Sequence, residues 1–348
     1  MTSNQTLVYK KLPTGLPVPG EHLAVENRPI DLEHVPEGGL LVEIQAASFD
    51  PYLRGKMRDP NTKSYSPPFE IDAPITNGTL AKVIKSDSSD YAVGDLVLAH
   101  LPIAEYSYVP KQLLETPYVR KVHNPYDLDT TLFLGPLGMP GLTAWSGLHK
   151  IGQPQKGETI FVSSAAGAVG QIVGQVAKRE GLTVIGSVGS DEKLDFIIKE
   201  LGFDAGFNYK KEKPKDALPR LAPEGIDIYW ENVGGEHLEA ALENLKVGGR
   251  IPVCGMIDLY NTPPDQRKGV NGLMNLIAKQ ATMEGFLVSN PKFGAAYFKD
   301  HQENLQKWLS EGSVKAKLHV TEGIENAADA FVDMLVGKNF GKAVLKIR

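Results

Sequence analysis

Cysteine is nearly absent from this sequence. Cys254 is the only one in 348 residues, so no intrachain disulfide can form, and zinc sites built on two or more thiolates are excluded. Such a chain suits a reducing compartment, and a cytoplasmic location is the expectation. Histidine is scattered as well: none of the eight stands at H-x-x-x-H spacing, so the local pattern motivates no helical metal site. No stretch approaches the roughly 18 consecutive apolar residues of a membrane span, and the N-terminal MTSNQTLVYKKLPTG has no apolar core behind a basic flank. The reading therefore includes no membrane. Basic stripes are missing too. Net charge is -5, and the pairs Lys10-Lys11 and Lys210-Lys211 sit among acids and prolines, which excludes a nucleic-acid groove. There is no internal repeat and no low-complexity tract.

What remains is a packed globular chain, 42% hydrophobic and 8% aromatic, too long for one typical hydrophobic core. Residues 1–134 are rich in Pro and Gly and carry short β-rich runs (LLVEIQAAS, LAKVIK, DLVLAH) with no long amphipathic helix, which predicts a β-rich domain. From Thr159 the pattern changes to an alternation of strand-like and helix-like segments: TIFVSSA, a helix over 169–179, TVIGSV, a helix over 192–201, and AGFNY. It continues through IDIYWENV, a helix over 236–246, RIPVCG and ATMEGFLV. That rhythm predicts an α/β domain over 135–308 built on a doubly wound parallel sheet. After a helix over 297–309, the tail KAKLHV, the amphipathic 327–336 and KAVLKI predict a return to the first domain over 309–348.

Between TIFV and the first of these helices stands SSAAGAVG, residues 163–170. Ala165-x-Gly167-x-x-Gly170 is a variant of the dinucleotide fingerprint, in which small residues let backbone N-H groups approach a pyrophosphate at a helix N-terminus. The same residues suit a turn where two elements merely pack closely. At the end of the next strand an NAD-selective site places a carboxylate for the ribose hydroxyls, but here the chain reads Ile185-Gly186-Ser187-Val188-Gly189-Ser190. Ser190 suits the N-cap of the following helix, whose first turn holds Asp191 and Glu192. Lys193 follows, placed either for the 2'-phosphate of NADP or on a solvated helix face.

The runs AAGAVG, GSDEK (189–193), FNYK (207–210), ENVGGE (231–236), CGMI (254–257) and GMPGLTAW (138–145) resemble the zinc-independent medium-chain dehydrogenase/reductase superfamily. More narrowly, the chain is similar to the NADPH-dependent alkenal and enone double-bond reductases, the group that includes prostaglandin reductase and plant double-bond reductases. The match runs from DPYLRGKM at 50–57 to GKNFGKAV at 337–344. It implies a GroES-like β domain joined to a Rossmann domain, NADPH as cofactor, and a homodimer. It also implies roles for single residues. Lys193 would bind the 2'-phosphate with Tyr209 beside it, near Gly189 and Ser190. Ala166, Gly167 and Val169 would line the pyrophosphate turn, and Asn232 and Asn339 would contact the cofactor. Cys254, Gly255, Met256 and Ile257 would edge the nicotinamide side, approached by Met139 and Thr143. Tyr52 and Arg54 would flank the substrate opening with Phe286, Leu287 and Val288. Tyr260 would hydrogen-bond the substrate carbonyl. Glu231 stands where relatives commonly carry an aspartate or a similar residue, a difference expected to be harmless.

The implied reaction is hydride transfer to the β-carbon of an α,β-unsaturated carbonyl, a small-molecule substrate. Negative charge then develops on the carbonyl oxygen, and without a metal a tyrosine hydroxyl is a reasonable donor. With a pKa near 10, tyrosine suits hydrogen-bond stabilisation better than obligatory proton transfer. Two other readings stand beside this one: a quinone reductase of the same superfamily, and an NADPH-binding protein without turnover. A zinc alcohol dehydrogenase is disfavoured, because the position of that branch's catalytic cysteine falls in Ala47-Ser48-Phe49-Asp50.

Overall fold

The computed structural model describes residues 1–348. The chain forms two compact units, one of residues 1–134 and 318–348, the other of residues 135–317.

The first unit is built on strands. Gln5–Tyr9 (β1) and Leu23–Asn27 (β2) form an antiparallel pair. Leu40–Ser48 (β3), Thr76–Ser86 (β4), Leu96–Pro102 (β5), Tyr106–Val109 (β6) and Val119–Lys121 (β7) belong to a seven-stranded sheet. The helices between these strands are single turns of four residues. β5 alternates half-buried and buried residues along LVLAHLP, the period of a sheet with one face on a core.

The second unit alternates strands and helices: Met139–Gly147 (α1), Thr159–Val162 (β8), Gly170–Arg179 (α2), Thr183–Val188 (β9), Asp191–Lys199 (α3) and Ala205–Asn208 (β10). Pro214–Leu221 (α4), Ile226–Trp230 (β11), Gly235–Asn244 (α5), Leu245–Val253 (β12), Thr282–Gly285 (β13) and Gly294–Ser310 (α6) follow. The strands lie in the order β10-β9-β8-β11-β12-β13, and every pairing is parallel. This is the doubly wound α/β arrangement, with its order reversing between β8 and β11. Buried Ile172, Val173, Val176 and Ala177 recur at helical spacing along α2. Between Phe161 on β8 and Tyr229 on β11 the rings stack at 5.1 Å.

The tail returns to the first unit. Leu318–Glu322 (β14) and Lys342–Lys346 (β15) complete the seven-stranded sheet, with Ala327–Leu335 (α7) between them. β15 pairs antiparallel with β3, Val344 opposite Ser48. The return starts at Leu318 and not at 309, because α6 runs on to Ser310 and the next residues are tied to α2. Lys315 N donates to Gln175 Oε1 and Lys317 N to Gln171 Oε1, each at 2.8 Å. The helix α4 gave no signal in the sequence pattern, since Pro214 and Pro219 both lie within it. Pro214 occupies its first turn, where a missing N-H costs nothing.

Candidate active site

In a doubly wound sheet the crevice forms outside the carboxyl ends of the strands, where the order reverses. Here the turns after β8, β11 and β12 meet at that place. The turn after β8 is SSAAGAVG, and it is closely packed. Ser164 takes a left-handed backbone (φ 52°), and Gly167 N donates to Ser164 O at 2.9 Å. A Cβ on Gly170 would lie 2.4 Å from the Ser164 carbonyl oxygen and 2.9 Å from Ala165 Cα. One on Gly167 would meet Ser164 Oγ at 2.9 Å. The turn packs closely against the start of α2 and requires glycine at both positions, with Gly167, Ala168 and Val169 half-buried around the helix N-terminus. That geometry fits a dinucleotide pyrophosphate.

At the end of β9 stands a polar corner. Ser190 caps α3, its hydroxyl accepting from Lys193 N at 3.2 Å. Burial first, and Lys210 second, hold the half-buried Lys193 ammonium below its usual range. Two cations that raise each other's cost of charge are relieved by an anion between them. The Tyr209 hydroxyl closes over Gly189, where a Cβ would come within 2.9 Å of it. Burial, and then Asp258, raise the Tyr209 hydroxyl above its ordinary range, so the phenol stays protonated. The Asp191 carboxylate is taken by Asn208 Nδ2 at 2.9 Å and by an ion pair with Lys211.

The turn after β11 hangs on Glu231. Its side chain is fully buried. Oε1 accepts from Val233 N (2.6 Å), Gly234 N (2.8 Å) and the Tyr229 hydroxyl (2.9 Å), while Oε2 has no hydrogen-bond partner. Burial raises the carboxyl above the usual range, and the hydrogen bonds pull it partly back. Asn232 ties the same turn to β8: its backbone N-H donates to Ser163 Oγ at 2.9 Å and its Nδ2 to Ser163 O at 2.7 Å. Its Oδ1 accepts from Trp230 Nε1 at 3.2 Å, so the amide expected to face a cofactor serves first as a tie between strands. Sequence reading missed Ser163, Tyr229 and Glu231 as a group, because no spacing rule links one strand end to its neighbour.

The turn after β12 is aligned by the same residue. Cys254 N and Gly255 N both donate to Glu231 O, at 3.0 and 3.1 Å. Burial, with the Glu231 carboxyl second, pushes the Cys254 thiol up to about 12, so it stands neutral. Tyr260 follows a single turn over 257–259 that brings it back over the strand end. Its hydroxyl lies 3.0 Å from where a Cβ on Gly255 would be. Met256 and Ile257 are half-buried beside it. In α1, Thr143 Oγ1 donates to Met139 O at 2.8 Å, and Met139 is exposed. Phe286 is half-buried and packs on Trp230 and Phe293 with centroids 6.0 and 5.0 Å away; Leu287 is exposed and Val288 half-buried.

The remaining expected residues belong to the first unit. Tyr52 donates its hydroxyl to Asn77 Oδ1 at 2.6 Å, and Asn77 Nδ2 donates to Asp50 Oδ2 at 2.9 Å. Asp50 also pairs with the fully buried Lys342 at 3.0 Å. Arg54 donates to the carbonyls of Met57 (3.2 Å) and Gly15 (2.7 Å) and is buried, so it staples its loops together, as a structural reading of DPYLR also allows. Asn339 Nδ2 donates to Gly341 O at 2.6 Å within its own turn.

Comparison with known proteins now has a geometry to stand against. The family model described as a zinc-binding dehydrogenase matches residues 168–311, and one described as the N-terminal domain of oxidoreductase matches residues 5–116. The NADP-dependent oxidoreductase RED1 of Cochliobolus heterostrophus is 49% identical over 100% of this chain and 98% of its own length. The chain belongs to the medium-chain dehydrogenase/reductase family. Another member, the NADP(+)-dependent 2-alkenal reductase of Nicotiana tabacum, is 42% identical over 99% of this chain and 98% of its own. The crystal structure of CurA in complex with NADPH from Vibrio vulnificus superimposes with a TM-score of 0.90 at 34% identity, covering 99% of both chains. The zinc in the family's description finds no fit in this member, where no three His, Cys, Asp or Glu side chains gather to hold a metal.

Proposed function

We propose that this chain is an NADPH-dependent oxidoreductase that reduces the C=C bond of α,β-unsaturated aldehydes and ketones. The observation that carries the reading is the Tyr260 hydroxyl, held over Gly255 at the carboxyl end of β12 by the turn that Glu231 aligns. The Nicotiana tabacum relative and the NADPH complex of the Vibrio vulnificus neighbour support it.

When bound, NADPH supplies a hydride to an electron-poor carbon. The backbone N-H groups at the start of α2 would hold the pyrophosphate, and Lys193 with Tyr209 would hold the 2'-phosphate. Addition at the β-carbon moves charge onto the carbonyl oxygen, where Tyr260 donates a hydrogen bond to the enolate. The α-carbon then takes a proton from Tyr260 or from water. Cys254 matters by its inertness: a neutral thiol is a poor nucleophile, so it does not add to the electrophilic substrate beside it.

A homodimer belongs to the same reading. Strand β13 ends its sheet with Thr282, Glu284 and Gly285 exposed, and Met274 and Ile277 are 74% and 72% exposed. A cytoplasmic location rests on the single cysteine.

The test is Tyr260→Phe, assayed on an enone and on a quinone. Loss of one hydrogen bond to a developing charge predicts roughly a tenfold to hundredfold fall in kcat/KM on the enone. Unchanged enone turnover removes Tyr260 from the mechanism. Wild-type activity confined to the quinone replaces the proposed reaction with quinone reduction.

A further inference from the structure

We propose that Lys211 and Asn208 set cofactor preference indirectly, by disarming Asp191, so that the corner built around Lys193 accepts a 2'-phosphate. The inference rests on NADPH being the cofactor and is independent of the substrate.

Asp191 is a carboxylate where one is unwelcome. It directly follows the N-cap Ser190 as the first residue of α3, three residues past the end of β9 and two before Lys193, just beyond the strand end that in NAD-selective sites carries the acid for the ribose hydroxyls. A free carboxylate there repels a phosphate and attracts a diol. In this structure neither oxygen is free: Oδ1 accepts from Asn208 Nδ2 at 2.9 Å, and Oδ2 is ion-paired with Lys211. The Asn208 hydrogen bond, and then Lys211, hold the Asp191 carboxyl below the usual range, so it stays charged and engaged.

Asn208 is itself built in. It is buried, and its Oδ1 accepts from Lys210 N at 3.1 Å, which fixes the turn that carries Tyr209, Lys210 and Lys211. One loop thus supplies the phenol that closes over Gly189, the cation that crowds Lys193, and the two partners of Asp191. Lys210 and Glu192 act on Lys193, Asp258 acts on Tyr209, and Lys211 pairs with Asp191, so loss of Lys211 removes one positive charge from this corner. Lys211 and Asp191 are 68% and 62% exposed, so the effect is moderate and screened by salt.

The experiment is a double-mutant cycle read by binding, not turnover. Dissociation constants for NADPH and NADH are measured by titration calorimetry on the full chain, for the wild type, Lys211→Gln, Asp191→Asn and the double variant, at low salt. Circular dichroism checks that each is folded. We expect Lys211→Gln to weaken NADPH about three- to tenfold and leave NADH within twofold, a size set by exposed ion pairs acting on a doubly charged group. Asp191→Asn keeps or improves NADPH binding. The double variant recovers at least threefold of the loss, since there is no longer a carboxylate to neutralise. A double variant as weak as Lys211→Gln would overturn the inference and make Lys211 a direct phosphate ligand. Equal NADPH affinity in Lys211→Gln and wild type would overturn it too. Absence of NADPH binding by the wild type would instead bring down the cofactor reading on which it rests.

Discussion

Removal of the Glu231 side chain is the perturbation whose size follows most directly from the structure. In Glu231→Ala the backbone N-H groups of Val233 and Gly234 lose their acceptor at a buried site. Tyr229 keeps a second partner in Ser163 Oγ at 3.1 Å, so its loss is smaller. An orphaned buried donor costs roughly 1–3 kcal/mol, so the two together put the variant about 2–6 kcal/mol below wild type before any relaxation. For a unit of this size each kcal/mol lowers Tm by roughly 2–4 °C, so the second unit should melt about 5–15 °C earlier. Glu231→Gln separates acceptor from charge. Its amide oxygen still serves both N-H groups, and its NH2 takes the place of the partnerless Oε2. The sign of the pH effect follows from the raised folded carboxyl: the native protein favours the protonated form, so Glu231's contribution is full below the unfolded pKa and is lost as pH rises through the folded one. The Gln variant has no such loss. Its deficit against wild type should therefore narrow between pH 5 and pH 8. Urea and thermal unfolding at both pH values give the answer. An alanine variant within 1 kcal/mol of wild type, or a Gln deficit that widens with pH, would refute the reasoning.

Two further predictions concern packing. Gly170→Ala forces a methyl to within 2.4 Å of the Ser164 carbonyl oxygen, so the turn must shift; overpacking of this kind costs about 1–3 kcal/mol and should weaken NADPH binding by tenfold or more, read by calorimetry. Asp50→Ala leaves the Lys342 ammonium buried without its counter-charge, which predicts about 3–5 kcal/mol of destabilisation by urea unfolding, whereas replacement of both residues by apolar ones should recover part of it.

How much of this was legible from residue order depends on the range of the interaction. The strands TVIGSV and LLVEIQAAS fall where their apolar patterns place them, because a strand's period is local. The Gly170 turn and the Ser190 cap were readable for the same reason, since their partners lie within a few residues. Helix α4 was not, because its prolines mask a pattern that tertiary packing of Ala217 and Leu218 restores. For Arg54 the acceptors include Gly15, 39 residues away in sequence, and spacing carries no trace of such a pair. Glu231 was set aside as a harmless difference, although a carboxylate just before Asn-Val-Gly-Gly is positioned to accept from the amides that follow it. The Asp191 partners lie 17 and 20 residues on, and only the parallel pairing of β9 with β10 brings them to one corner.

The most direct test of the central claim is NADPH oxidation followed at 340 nm with 2-alkenals, aryl enones, a saturated aldehyde and a quinone, with the product identified by mass and NMR. The account predicts consumption with the enals and enones, little with the saturated aldehyde, and a saturated carbonyl as product, with NADH a poor substitute. Formation of an allylic alcohol, or oxidation of NADPH by the quinone alone, would contradict it.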